Sequence, residues 1–316
     1  MDNKEILVSV MCIAYNHEKF IAEALESLVK QKTDFRYEVL VHDDCSTDKT
    51  AQIIEEYAQK YPEIIKAYYE EENQYSKKVS NFLKMAKLAS GKYLAICEGD
   101  DFWLNENKLQ EQYDYITTHP GCTMCITAAR LVDMNSKKLG EMHPFKNNGE
   151  YGIGHYLNRK ANIPTASILV ETNDLIEVYN TPYRKVSDVG DVPIGLYMFS
   201  KGTVHYINRC DVAYRINNPN SWAGRTTGEK YIAHLENSIK THQVFDEYTN
   251  RKYTEEIQRK IQSSKMQILV SQHNFKEVVL KYKKLIKRRN FRQRVYIYIG
   301  AYAPFLLKIK QILRRK

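Results

Sequence analysis

Hydrophobic and polar positions along this 316-residue chain follow two regimes, one before and one after about residue 120. Residues 6–14 are an almost unbroken apolar run, the pattern of a strand buried on both faces of a parallel sheet. Tyr15-Asn16-His17 breaks the run. From about residue 18 to 31, Phe20, Ile21, Ala24, Leu25 and Leu28 recur at helical spacing. Residues 37–42 predict a second strand running into Asp43-Asp44-Cys45-Ser46-Thr47-Asp48, where Ser46 or Thr47 is placed to cap a helix reaching Lys60. Residues 64–69 predict a third strand, 81–89 a helix and 93–97 a fourth strand. Strand–helix alternation at this spacing predicts a doubly wound, mostly parallel α/β sheet of Rossmann-like type, with its ligands at the carboxyl ends of the strands.

Beyond Cys122 the pattern changes. Strand-like pieces at 123–131, 166–171, 203–207 and 212–214 alternate with Gly- and Asn-rich loops, and after Tyr231 the chain is polar and helical. This divides the chain into a domain over 1–225, with halves 1–120 and 121–225, and a helical C-terminal extension over 226–316. The formal net charge of +9 belongs to the extension. Residues 281–316 hold 13 Lys and Arg and no acid, whereas the other 280 residues hold 34 basic and 38 acidic side chains. An apolar, tyrosine-rich stretch at 295–307 lies between cationic flanks. It is too short to span a bilayer, suits a helix lying in the plane of an anionic membrane surface, and has a helix docked on the body as its alternative. Nothing upstream resembles a nucleic-acid module, so no nucleic-acid partner is expected. The opening residues lack the layout of a signal peptide. No uncharged apolar run reaches the roughly 18 residues of a spanning helix. A cytoplasmic location, peripheral at the inner face of the cell membrane, follows as the expectation. The six scattered cysteines fit reduced, packed thiols. The lone Cys122-x-x-Cys125 has no partner pair for a zinc site.

The run from Tyr93 to Trp103 carries the chemistry. An apolar strand ends in Glu98, Asp100 and Asp101 followed by two aromatics. Hard carboxylate oxygens at a strand's carboxyl edge suit Mg²⁺ or Mn²⁺, which complete their shell with water and substrate phosphate. The alternative is a cap, by Asp100 or Asp101, on a helix beginning near Leu104. Two other loops reach the same edge. The turn Ala14-Tyr15-Asn16 can approach a base or ribose, and Asp43-Asp44 can accept from a uracil N–H or a ribose hydroxyl. For Asp43 and Asp48, turn and cap chemistry is the expectation. Neither a G-x-G-x-x-G after the first strand nor a P-loop is present, which disfavours a dinucleotide fold and a P-loop NTPase.

Three segments in order resemble family 2 glycosyltransferases of the GT-A fold, the inverting group that builds bacterial surface polysaccharides such as capsule and lipopolysaccharide. Val8 to Asn16 resembles that family's first strand and turn. Val41 to Thr50 resembles its VDDGSTDGT segment, with Cys45 where glycine is usual. Ser90 to Trp103 resembles its GxYIxxLDxDD segment, with Glu98 in place of the first aspartate. The resemblance covers about residues 5–225. It implies a nucleotide-diphospho-sugar donor, most plainly a UDP-sugar, with Ala14, Tyr15, Asn16 and Asp44 on the nucleoside. Glu98 would lie near the ribose, Asp100 would hold Mn²⁺ or Mg²⁺, and Asp101 would stand behind it or touch the acceptor. Inversion needs a carboxylate opposite the leaving group. Asp191 in Val189-Gly-Asp-Val-Pro-Ile194 resembles the family's base, Asp188 is the competing acid, and a helix cap before Pro193 is the structural alternative. Tyr214 to Trp222 resembles the loop that folds over the donor, with Asn217 where a histidine often stands and Arg215 and Trp222 as contacts to diphosphate or sugar. The acceptor implied is a glycan or a lipid-linked glycan. A nucleotidyltransferase and a non-catalytic sugar- or nucleotide-binding module are the rival classes, and the oligomeric state is open.

Overall fold

The structure, a computed structural model, describes residues 5–77, 80–159, 162–216 and 222–306, without the side chains of residues 222 and 223. It divides into two compact units, Met1–Lys185 with Val189–Pro219 and Val186–Asp188 with Asn220–Lys316.

The first unit begins with the expected alternation: β1 (Ile6–Ala14), α1 (Ile21–Val29), β2 (Arg36–Asp43), α2 (Thr50–Lys60), β3 (Ile65–Tyr69), α3 (Asn81–Leu88) and β4 (Tyr93–Ile96). There follow β5 (Phe102–Trp103), α4 (Lys108–Thr118), β6 (Cys122–Val132), β7 (Lys138–Met142), β8 (Gly149–Tyr151) and α5 (Ile153–Asn158). The chain continues through β9 (Leu169–Glu171), α6 (Thr172–Asn180), α7 (Pro182–Val186), α8 (Asp191–Lys201) and β10 (Thr203–Arg215). All ten strands form one sheet in the order β3-β2-β1-β4-β9-β6-β10-β5, with β7 added to β6 and β8 to β10. The neighbours β3, β2, β1 and β4 are parallel, which carries their carboxyl ends to one edge. Val8, Val10, Met11 and Cys12 of β1 have no solvent exposure, as a strand covered on both faces requires.

The second half departs from the sequence pattern in two places. β9 enters antiparallel between β4 and β6, so the sheet is mixed beyond its parallel half, β3-β2-β1-β4. The segments 203–207 and 212–214 are one strand, β10, whose register against β6 shifts on both sides of Cys210. The polar Asn208-Arg209 insert makes a bulge and not a break, because a bulge leaves an extra residue unpaired without ending the ladder.

The start of α2 also differs from expectation. Asp48 Oδ1 accepts the Thr50 N–H at 2.9 Å in a turn just before the helix, whose N-cap position is Lys49 and has no side-chain cap bond. Ser46 and Thr47 are engaged elsewhere: Ser46 Oγ accepts the Asn16 N–H at 2.9 Å, and the Thr47 N–H donates to Asn16 Oδ1 at 2.8 Å.

The second unit is helical: α9 (Trp222–Arg225), α10 (Glu229–Tyr248), α11 (Thr254–Ser271), α12 (Phe275–Lys281), α13 (Lys283–Lys287) and α14 (Phe291–Tyr302). Met266, Phe275, Val278, Ile286, Ile297 and Ala301 are buried together in its small core. No described helix is long and apolar enough to cross a membrane. All six cysteines are free thiols.

Candidate active site

The loops after β1 and β2 are stitched into one surface by polar bonds that their residue types dictate. Ala14 O accepts the Asp44 N–H at 2.9 Å, and Thr50 Oγ1 accepts the His17 N–H at 2.7 Å. Asn16 adopts φ 56°, a left-handed conformation that Asn tolerates better than most residues, and Tyr15 is left exposed at the rim. Cys45 also lies at positive φ, 62°, which gives the reason a glycine suits this position.

Asp43 makes the expected turn, its Oδ2 accepting the Ser46 N–H at 3.0 Å, yet its Oδ1 is buried with no hydrogen-bond partner. Asp44 is almost wholly buried and spans to the loop after β3. Its Oδ1 accepts the Gln74 N–H at 2.7 Å and its Oδ2 the Tyr75 N–H at 3.1 Å. Each oxygen of Asp44 therefore keeps one lone pair. His42 is a packed side chain whose Nε2 lies 2.8 Å from Glu70 Oε1.

The acid turn after β4 is seated on β1. Cys97 N–H donates to Met11 O at 3.0 Å, and Gly99 N–H to Ile13 O at 2.9 Å. A Cβ at Gly99 would come within 2.9 Å of His17 Nδ1 and 3.0 Å of both Ala14 Cβ and Ile21 Cδ1, so the close approach requires glycine. On this seat Glu98, Asp100 and Asp101 meet Asp191 at the start of α8. Burial first, then the charges of Asp100 and Asp191, push the Glu98 carboxyl up to about 8. Burial, Asp100 and Glu98 likewise raise Asp101 well above the carboxylate range, while Arg215 opposes them. Asp191 Oδ1 accepts the Val192 N–H at 2.9 Å, which fixes the carboxylate at the helix start. Asp188 lies in the other unit, 2.8 Å from His234 Nδ1.

Acids that raise one another's proton affinity, with Asp101 Oδ2 buried and unpartnered beside them, suit a divalent cation. They do not close into a three-ligand cage; among the described residues that geometry occurs only at Glu141, His143 and Cys210. An ion held here would use one or two carboxylates and take its remaining ligands from water and donor phosphates.

Arg215 is engaged inward. Its guanidinium is buried and its donors are already taken: Nε by Asp100 O (2.8 Å), Nη1 by Asp133 O (2.7 Å) and Nη2 by Glu23 Oε2 (2.9 Å). Its N–H donates to Asp101 Oδ1 at 2.8 Å. Arg215 braces the acid turn and has no guanidinium N–H turned outward to a diphosphate. Asn217 lies outside the described residues, as does the Trp222 side chain, although the Trp222 backbone begins α9. The pattern passed over Tyr214. Its phenol is raised above its usual range by burial first and then by the charges of Glu98, Asp101, Asp100 and Asp191. Its position immediately before Arg215 at the end of an apolar strand is the one signal that could have marked it.

A mixed α/β sheet with a parallel nucleotide-side half and an acidic edge defines the GT-A class of glycosyltransferase fold. Staphylococcus aureus TarS 1–349 in complex with UDP superposes with TM-score 0.54 at 19% identity, over 93% of this chain and 87% of that one. The mannosyltransferase PcManGT of Pyrobaculum calidifontis, in complex with GDP-Man and Mn²⁺, gives TM-score 0.54 at 13% identity, over 95% and 85%. Likeness at these identities establishes the fold. The profile of Glycosyl transferase family 2 matches residues 9–176, more than half of the chain, and the chain belongs to that family. An uncharacterised protein of Mycobacterium tuberculosis is 33% identical over 186 residues, 59% of this chain and 49% of its own length. The chain thus spans about half of that relative. Bacillus subtilis TuaG, named for a glycosyltransferase role in teichuronic acid biosynthesis, is 28% identical over 219 residues, 69% of this chain and 82% of TuaG.

Proposed function

We propose that the chain is an inverting glycosyltransferase that moves a sugar from a UDP-sugar to a hydroxyl of a glycan or lipid-linked glycan during surface polysaccharide synthesis. The observation that carries this reading is that Asp191, at the start of α8, joins burial and Asp100 in raising the proton affinity of Glu98, in the turn that follows β4. The ligands and names of the similar proteins support the donor and the acceptor class.

In this mechanism Tyr15 and Asn16 flank the nucleoside, and the remaining lone pairs of Asp44 accept from the base, with the unpartnered Asp43 Oδ1 beside them. Asp191 accepts the proton of the acceptor hydroxyl as its oxygen forms a bond to the anomeric carbon. The bond from that carbon to the diphosphate oxygen breaks on the opposite side, so configuration inverts. Arg215 and Gly99 keep the acids in place. A bound Mn²⁺ or Mg²⁺, held by Asp100 with Glu98 beside it, supplies neutralisation of the charge that grows on the departing nucleoside diphosphate.

The reading extends to the second unit, with an anionic membrane surface as its partner. On α14, Phe291, Val295, Tyr298 and Tyr302 are exposed at spacings of four, three and four, and Phe305 and Leu306 continue the exposed stripe. The opposite side, Ile297 and Ala301, is used in the unit's own core. An exposed aromatic stripe within a segment of 13 cations and no acid suits anionic lipid, whereas a second copy of the same charge would be repelled. Incubation with UDP-, GDP- and dTDP-sugars and Mn²⁺ tests the whole reading. A glycosyltransferase releases nucleoside diphosphate and gives an inverted anomer, a nucleotidyltransferase releases pyrophosphate, and a binding module releases nothing.

A further inference from the structure

Across the sheet, the β10 bulge assembles donor atoms that the transfer reaction does not use. β6 runs between β7 and β10, with Arg130 opposite Glu141 and Ala128 opposite Cys210. Ala128 and Arg130 are two residues apart and share a face, so Glu141 and Cys210 rise from that face on either side of β6, with the Arg130 side chain beside them. His143 follows Glu141 by two residues. One donor atom each from Glu141, His143 and Cys210 lies within 4.8 Å of the other two.

The imidazole carries the argument. Asn208, on the same bulge, donates its Nδ2–H to Lys146 O at 3.0 Å, so the atom it turns toward His143 is its oxygen. Asn208 Oδ1 lies 2.7 Å from His143 Nδ1 and also accepts the Tyr206 hydroxyl at 2.8 Å. Nδ1 therefore carries a proton, so that a neutral ring presents its Nε2 lone pair to Glu141 Oε2 at 3.1 Å. Two lone pairs facing each other at that distance repel unless a proton or a metal ion sits between them. The other Glu141 oxygen is held by Lys138 Nζ at 2.6 Å, which leaves Oε2 as the available one.

We propose that Glu141, His143 and Cys210 form a binding site for zinc or a zinc-like transition-metal ion, distinct from the divalent-cation site at the acid edge. One oxygen, one imidazole nitrogen and one thiolate suit Zn²⁺ or Co²⁺, whereas Mg²⁺ prefers an all-oxygen shell. Three protein ligands leave a fourth position for water. Binding forms a metal–sulfur bond and releases the Cys210 thiol proton to solvent. Asn208 is the outer partner that fixes the ring, as ligating histidines require. The ion would clip β7 onto the bulge of β10, the strand that ends in Tyr214 and Arg215.

The test is Co²⁺ titration of the full, chelator-treated chain in the presence of excess Mg²⁺, read by absorption. Expected is a sulfur-to-cobalt charge-transfer band that saturates at one equivalent, is bleached by Zn²⁺, and is absent in Cys210→Ser. Asn208→Ala should weaken uptake by about tenfold or more. His143→Ala should abolish the Zn²⁺-induced rise in melting temperature while its metal-free melt stays cooperative. A band that survives in Cys210→Ser and disappears in Cys122→Ser would overturn the proposal. So would a chain that takes up no Co²⁺ at pH 8, since a proton would then be all that joins His143 to Glu141.

Discussion

The two units of this chain dispose of their apolar residues in opposite ways. In the first, the central strands β1, β2 and β4 are almost wholly buried, and polar loops reach the edge where the acids lie. In the second, a small core leaves a long apolar stripe outside: of the fourteen large apolar side chains exposed among the described residues, eight lie between Leu280 and Leu306. Monomeric surfaces rarely leave so many contiguous apolar groups without a use. A rigid core fixes carboxylates to within the tolerance that group transfer needs. An exposed aromatic stripe needs no such tolerance, because a lipid surface adapts to whatever enters it. On the proposed function, this difference assigns chemistry and placement to separate parts of the chain.

This division can be broken, and the largest effect should come from Asp191→Asn. It should lower kcat by about 100-fold or more while UDP affinity and vesicle binding stay within a few-fold of the parent. Near-normal turnover would remove Asp191 from the mechanism. Next in size is the triple change Tyr298→Ser, Tyr302→Ser and Phe305→Ser. Each side chain contributes about 1.5–3 kcal/mol when fully withdrawn from water, so partial insertion of three predicts at least a tenfold loss of binding to anionic vesicles. Turnover on a soluble acceptor should be unchanged. If flotation with anionic vesicles matches the parent, the stripe has some other use.

A smaller effect should appear in pH. Glu98 holds its proton to about 8 in the folded chain, against about 4.3 when unfolded. Across that window the folded state binds more protons than the unfolded state. The stabilisation is complete below the unfolded value and is lost as pH rises through the folded one. The metal-free chain should therefore lose stability between pH 5 and pH 8, at a rate bounded by about 1.4 kcal/mol per pH unit for this group. Glu98→Gln should flatten the dependence in thermal melts; an unchanged slope would assign it to other groups. The smallest effect is expected from Cys45→Gly. Relief of a left-handed backbone costing about 1–2 kcal/mol, offset by about 0.5–1 kcal/mol of added chain freedom, predicts stabilisation by at most about 1.5 kcal/mol with activity retained. A lower melting temperature would mean that the Cys45 side chain contributes more than its backbone costs.

Much of the nucleotide-side edge was legible because short-range patterns determine it. Largely apolar runs mark β1, β2 and β4, and each gives way to polar residues at its carboxyl end. Partners remote in sequence were not legible. Nothing near Arg215 indicates that its guanidinium meets Glu23 of α1, or that Asp44 takes the amides of Gln74 and Tyr75. Period-two alternation names the face of a strand and not its neighbour, so the antiparallel insertion of β9 and the continuity of β10 through Asn208 and Arg209 were hidden. Tyr214 drew no role of its own because, in one dimension, it looks like any aromatic closing a strand.

The central claim is that Asp100 and its neighbours hold a divalent ion against a nucleoside diphosphate. Calorimetric titration of UDP into the chain, with and without Mn²⁺, tests it most directly. The account predicts that Mn²⁺ tightens UDP binding by at least about tenfold in the parent, a gain of about 1.4 kcal/mol, and leaves Asp100→Ala unaffected. Equal UDP affinity with and without Mn²⁺ in the parent chain would contradict it.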